Sequence, residues 1–403
     1  MDYIVGEENT ETIESTQLYP DIDDKIYILE PIDTPLTAFL TQIGKIRDGG
    51  SYKGSALLKE AAESFEFKEF EDQFSGIFDA VNNAAGYAAN ATAIVVDNSK
   101  IFAKYDIVKV VRTGEHFRIN SIAYNTHTLT VQRAFGTTAA AAILDNDVLM
   151  VVASAYEESA GRGQAISTKK VVQTNYTQIF RTPFGVSKTL DASKTYPGKT
   201  RGSELQYQST KNGIEHAKKI ERAYWFGEKY EDTAGPDGEP VRSTGGIIEA
   251  IVATGNVCDM ADEPLTLPAF TEFLQTYAFN YGSNQKKLFC GPSVLAAIES
   301  FAQDKLQLKQ GDNTFGVAVR QYISAFGILD IVLHPDFKGE YAGMGVVVDM
   351  KTLKHKVLRD TRLNSNIQTN GDDKVIHEYL TECGLARVNF EKNAMIVNVG
   401  TGS

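Results

Sequence analysis

Three cysteines in 403 residues, Cys258, Cys290 and Cys383, are too few and too widely spaced for a disulfide framework or a CxxC metal site. The pattern is that of buried thiols in a reducing compartment. Long hydrophobic runs are also missing. No apolar stretch approaches the ~20 residues a membrane span needs, and the acidic opening MDYIVGEENTETIES has none of the features of a signal peptide. Positive charge is short: 40 Lys and Arg face 52 Asp and Glu, a net charge of −12. That balance argues against a dedicated nucleic-acid binder, which needs clustered cations, and suits a protein that stays soluble at high concentration.

Recognisable chemistry is absent too. His116, His127, His216, His334, His355 and His377 show no HxxxH or HExxH spacing. There is no P-loop and no GxSxG, and Gly161 and Gly163 lack the third glycine of a dinucleotide loop. Asp21, Asp23 and Asp24 lack the glycine and distal glutamate of a calcium loop and read as a solvated acidic face. The carboxylates between Glu60 and Asp72 come without an apolar pocket that would tune them for acid–base work. No catalytic, cofactor-binding or metal-binding residue is therefore nominated; the chain reads as a non-enzyme without a cofactor.

What is present is ordinary globular composition, 42% hydrophobic and 23% charged, long enough for two or three domains. The organising stretch is Ser203–Phe226. Tyr207, Thr210, Ile214, Ala217, Ile220 and Tyr224 recur at three and four, which predicts one stripe down a helix about 35 Å long. Ser203 is its expected cap and Gly227 its terminator; Gly213 inside it costs about 1 kcal/mol against Ala. Before this helix the chain reads as extended and β-rich, after it as compact α/β.

Residues Met1–Glu30 are acidic and lack a hydrophobic period, yet carry Leu18, Tyr19, Ile22 and Tyr27 among other large apolar residues. An arm that orders on a neighbouring subunit fits this composition. A short helix is expected after Thr34 and Pro35, and a turn at Asp48–Gly50. Between Ser51 and Phe78, phenylalanines alternate with acids, which predicts extended structure with exposed aromatics. Leu18, Tyr19, Ile22, Tyr27, Phe65, Phe67 and Phe70 are the expected assembly contacts. Short β-branched runs at Ala93–Val96, Ile107–Arg112, His116–Ile122, Thr128–Arg133 and Val148–Val152 predict a five-stranded sandwich or small barrel. Lys169–Thr189 is expected to pair back with Ser51–Phe74. Lys351, Lys354, Lys356 and Arg359 form a basic stripe read as a subunit salt-bridge surface.

Three stretches, in this order, resemble a known family. They are Val108–Glu115 with Val131 and Arg133–Ala139, then Asn175–Phe180 with Val186–Thr189, then the helix ending Ile220–Ala223 before a start at Gly245. Together they resemble tailed-bacteriophage major capsid proteins with the HK97-like fold. The resemblance implies an α+β protein with an N-terminal arm, an extended loop, a peripheral domain carrying the long spine helix, and an axial domain. On this chain those are an arm at 1–30, the first part of the peripheral domain and the extended loop at 31–87, an inserted small β module at 88–154, the loop's return at 155–189, the spine helix at 190–244, the axial domain at 245–336 and peripheral-domain strands at 337–403. The inserted module departs from the family's simple hairpin, and no Lys–Asn crosslinking pair is matched.

The implied function is a capsid protein that self-assembles into an icosahedral virion shell around a genome it does not bind sequence-specifically. Its partners would be copies of itself in hexamers and pentamers, with portal, scaffold or decoration proteins, assembled in the host cytoplasm and away from membranes. The alternatives are an encapsulin-like compartment, or an enzyme or carbohydrate-binding protein with an accessory β module.

Overall fold

The computed structural model describes residues 33–41, 45–48, 51–54, 58–158, 167–193, 203–305, 309–310 and 320–400. They fall into two compact units, one of residues up to Glu69 and from Gln173 onward, the other Phe70–Val172.

In the first unit the helix Ser203–Phe226 runs its full 24 residues. It packs on a four-stranded sheet ordered Gln178–Ser187, Lys374–Arg387, Leu353–Asn364, Lys59–Ala61, built around a long antiparallel hairpin with a short parallel strand at one edge. Strand Gln178–Ser187 alternates strictly: Phe180, Thr182, Phe184 and Val186 turn inward, and Ile179, Arg181, Pro183 and Gly185 turn out. The inward row meets the spine helix.

The helix buries a different line from the expected one. Ile220 and Tyr224 are core, but Thr210 is exposed and Tyr207, Ile214 and Ala217 are half-buried. The line runs instead through Ser209, Gly213, His216, Ile220 and Tyr224. Polar side chains can face inward here because the sheet answers them. His216 sits between Thr182 Oγ1 (3.0 Å) and Thr381 Oγ1 (2.7 Å), and Ser209 meets the Tyr379 hydroxyl at 3.1 Å. Gly213 lies against the Tyr379 ring, with room for a Cβ at ordinary contact distance, 3.4 Å.

A seven-stranded mixed sheet is ordered Val257–Asp259, Ala394–Val397, Gly345–Val348, Gln285–Cys290, Ile328–Leu333, Arg320–Ile323, Lys309–Gln310. Helices Ile247–Thr254, Leu267–Phe273 (continued by a π-turn to Ala278) and Pro292–Lys305 belong to the same part of the chain. Two strands correct the expected partition. Gly345–Val348 and Ala394–Val397, assigned to the peripheral strands of 337–403, pair here with elements of 245–336. The physical reason is coverage. Val346 and Val348 enter the core cluster of the spine helix while Val347, Ala394 and Ile396 enter that of Phe270 and Phe273, so this sheet is buried on both faces.

The second unit is a closed barrel. Its strands follow the order Phe78–Ala80, Val148–Ser154, Asp106–Val110, His116–Ala123, Thr128–Gln132, Ala93–Val95. A bridge between Val81 and Val96, with Asn82 N donating to Val95 O and Asp97 N to Ala80 O (3.0 Å each), joins the last strand to the first. Closure leaves no long free edge. Phe78–Ala80 is a sixth strand that its three-residue length hid in the sequence. Val108, Val110, Phe117, Ile119, Leu129 and Leu149 fill the interior. Glu66–Glu71 and Val171–Tyr176 pair as a two-stranded ribbon, within the long-range pairing expected from the sequence.

Candidate assembly surfaces

Buried titratable groups cluster along the spine helix, so their chemistry comes first. Glu221 is buried at the N-terminus of helix Pro35–Thr41. Its carboxylate accepts Leu36 N and Thr37 N at 2.8 Å each, together with the Thr37 hydroxyl, and Oε1 lies 3.1 Å from His334 Nε2. One side chain thus satisfies two backbone donors that the helix start leaves unpaired and ties that helix to the spine. Tyr224 Oη lies 2.5 Å from His355 Nδ1. Burial pushes the Tyr224 hydroxyl well above its ordinary range, and burial, aided by the Lys59 charge, holds His355 down at about 4. Burial likewise raises the Cys383 thiol to about 12. These contacts tie the spine helix to the sheet and to the helix Pro35–Thr41.

The barrel has its own buried charge. Glu115 is fully buried and Arg133 is 6% exposed in its side chain. Arg133 binds both Glu115 oxygens at 2.7 Å and donates to the carbonyls of Ala88, Ala91 and Ala141. Glu115 also accepts from Ala134 N and Ala141 N. Burial raises its pKa, but Arg133 and the two amides outweigh that and hold the carboxyl below its usual range. The pair fixes the loop from Ala134 to Ala142. Arg112 and Asp147, 2.7 Å apart, fix the loop's far end.

Outward surfaces are of two kinds. The Phe-bearing segment is the first. Phe70 is 68% exposed and Phe74 fully exposed, with Ile77 and Phe78 more than half exposed. Phe65 is partly exposed beneath the Arg242 guanidinium, 3.8 Å from the ring. Phe67 corrects the expectation, being 9% exposed within its own subunit. Strand alternation puts it opposite Phe70, and glycine at 384 makes room for its ring: a Cβ there would lie 2.9 Å from Phe67 Cε1. The other expected contacts, Leu18, Tyr19, Ile22 and Tyr27, lie outside the described residues.

The second kind is a 530 Å³ groove, where Phe226, Ile248, Val252 and Tyr341 lie beside Glu228 and Glu340. Three residues of the basic stripe are paired inside the chain. Lys354 and Lys356 pair with Glu60, Lys356 also with Glu69, and Arg359 with Glu382, all within the chain. For Lys354 and Lys356 the partners are acids of the Phe-rich segment, nearly 300 residues away in sequence.

The geometry is that of a scaffold with apolar surface left over. A family model described as the SU10 major capsid protein matches residues 6–400. The chain belongs to that family. A curated major capsid protein of Pseudomonas phage PaMx41 is 29% identical over 317 residues, covering 74% of this chain and 73% of that one. In fold, the chain of a native GTA particle's capsid superposes with TM-score 0.50 at 11% identity, covering 96% of each chain. An encapsulin from Synechococcus elongatus overlaps 59% of this chain and 79% of its own at TM-score 0.43 and 11% identity, too little to argue from. The capsid subunit thus has the α+β HK97-like fold, builds the icosahedral shell of a phage, and is located in the virion.

Sequence reading missed both buried carboxylates. Glu221 had a signal, an acid beside Ile220 on the helix's inner side. Glu115 and Arg133, just before the strand His116–Ala123 and just after Thr128–Gln132, had none beyond their place in the resemblance.

Proposed function

We propose that the subunit is non-catalytic building material and that neighbours are joined by the segments leaving its compact units: the acidic arm 1–30 and the Phe-bearing segment with Phe65 and Phe70. The exposure of Phe70 and Phe74 supports this most directly. Covering a large apolar side chain is worth ~1.5–3 kcal/mol, and a closed shell of identical copies supplies covering surface all round. In this reading the spine helix with the long hairpin is the peripheral domain, the seven-stranded sheet with its helices is the axial domain, and the barrel is an insertion in the extended loop. Hexamers and pentamers form in the host cytoplasm, with portal, scaffold or decoration proteins as partners. No helix among the described residues is long and apolar enough to cross a membrane. The test is Phe70→Ser with Phe74→Ser, read by sedimentation. A folded subunit that fails to close shells is expected; shells at normal yield would contradict the reading.

A further inference from the structure

One side of the barrel is apolar where the opposite side is not. Strands Val148–Ser154 and Thr128–Gln132 stand three apart in a closed ring of six, so they lie across it from each other. Thr128–Gln132 sends Leu129 and Val131 into the interior and turns Thr128, Thr130 and Gln132 outward. That is the alternation of a strand with one wet face. Val148–Ser154 also fills the interior, with Leu149, but its outward residues are Val148 and Met150, and Val152 protrudes at a bulge. An apolar run of both parities is the pattern of a strand covered on both faces.

The neighbouring strands continue this face. Phe78 stands opposite Met150 on one flank, and Val111 N donates to Val148 O on the other. Phe78, Val111, Val148 and Val152 are each about half exposed. A contiguous apolar patch of this kind marks a contact surface. It holds one central cation. Lys109 stands opposite Met150 in the strand Asp106–Val110, and its side chain pairs with no acid among the described residues. Along that strand Ile107, Lys109 and Val111 turn outward, so the cation sits between two apolar residues at a spacing of two.

We propose that this side of the barrel receives the Phe-bearing segment of a neighbouring subunit, with Phe70 and Phe74 on the apolar face and Asp72 against Lys109. The inference rests on the reading that neighbours are joined through that segment, and it names the surface that receives it. Spacing matches. In an extended segment Phe70, Asp72 and Phe74 share one face, the two rings about 13 Å apart with the carboxylate between them. That is the order of Ile107, Lys109 and Val111 with the charge reversed. Asp72 is exposed and spends Oδ1 on Gln73 N and Thr168 Oγ1, which leaves Oδ2 for a cation. Charge also selects this receiver over the groove of Phe226, Ile248 and Val252. Glu228 and Glu340 in that groove would repel Glu71 and Asp72, whereas the barrel side offers a lysine. The segment does not lie on its own barrel, since Phe74 is fully exposed. One copy's segment on the next copy's barrel is a heterologous contact, the kind that closes rings.

The test uses full-length protein. Lys109→Glu should cut the assembled fraction about tenfold while leaving the subunit's melting unchanged, since every contact then sets like charges together. Asp72→Lys should do the same, and the two changes combined should restore assembly. Shells at normal yield from either single variant, or no recovery in the combination, overturn the pairing. A second measurement leaves every proposed partner in place. Copies carrying Gln73→Cys are assembled with copies carrying His116→Cys, a position opposite Lys109 in the next strand, and treated with a short bismaleimide. A linked dimer that neither variant gives alone is expected. No link in well-formed shells overturns the barrel as receiver, and so does a double variant that links only within its own chain. Failure of the underlying reading looks different: shells would then close normally with Phe70→Ser and Phe74→Ser.

Discussion

Arg133→Met is the perturbation whose cost can be worked out most fully. It removes the bidentate partner of a fully buried carboxylate and leaves three carbonyls, of Ala88, Ala91 and Ala141, without their donor. Glu115 keeps two backbone amides. Breaking one side of a buried ion pair costs about 3–5 kcal/mol, because the surviving charge is stranded. The barrel has about 100 residues, for which 1 kcal/mol moves the melting transition by about 4–8 °C, so a separate barrel transition should fall by about 12 °C or more. Glu115→Leu in the same chain removes the stranded charge, and the double variant should recover part of the loss. Thermal unfolding of full-length variants followed by circular dichroism is the assay. Equal, additive losses for the two single changes would refute the reasoning, as would an Arg133→Met barrel as stable as the original.

Three further outcomes follow from named contacts. Ile220→Asp places a charge in the core and should cost several kcal/mol in a denaturant titration, whereas Ile214→Asp, half-buried, should cost about 1 kcal/mol or less. Phe67→Ser should lower subunit stability by about 3 kcal/mol, as loss of a buried ring does, while Phe70→Ser should leave melting unchanged and reduce assembly. His355 titrates at about 4 in the folded subunit against an ordinary 6.5. Between those pH values the unfolded chain holds more protons, so its contribution is intact above 6.5 and is lost as pH falls toward 4, in all by about 3 kcal/mol. His355→Gln should flatten that part of the stability–pH curve.

Local patterns were legible in the sequence and long-range satisfaction was not. The spine helix, the short helix at Pro35 and five barrel strands announce themselves through period and β-branched runs. The helix's buried line was misplaced because His216 and Ser209 look like surface residues until Thr182, Thr381 and Tyr379 stand opposite. The partition of the C-terminal strands failed for a related reason. Gly345–Val348 is a bare apolar run, and such a run says that both faces are covered without saying by what. Among the expected contacts, strand alternation separates Phe67 from Phe70, and Gly384 makes room for the Phe67 ring. Lys354 and Lys356 of the basic stripe had their partners nearly 300 residues upstream.

The central claim is that neighbouring subunits cover the apolar surface that each subunit leaves open. A cryo-electron microscopy reconstruction of the assembled shell, at a resolution that places side chains, tests it most directly. The account predicts closed shells in which Phe70 and Phe74 of every subunit lie against another copy. A closed shell in which both rings remain in solvent would contradict it.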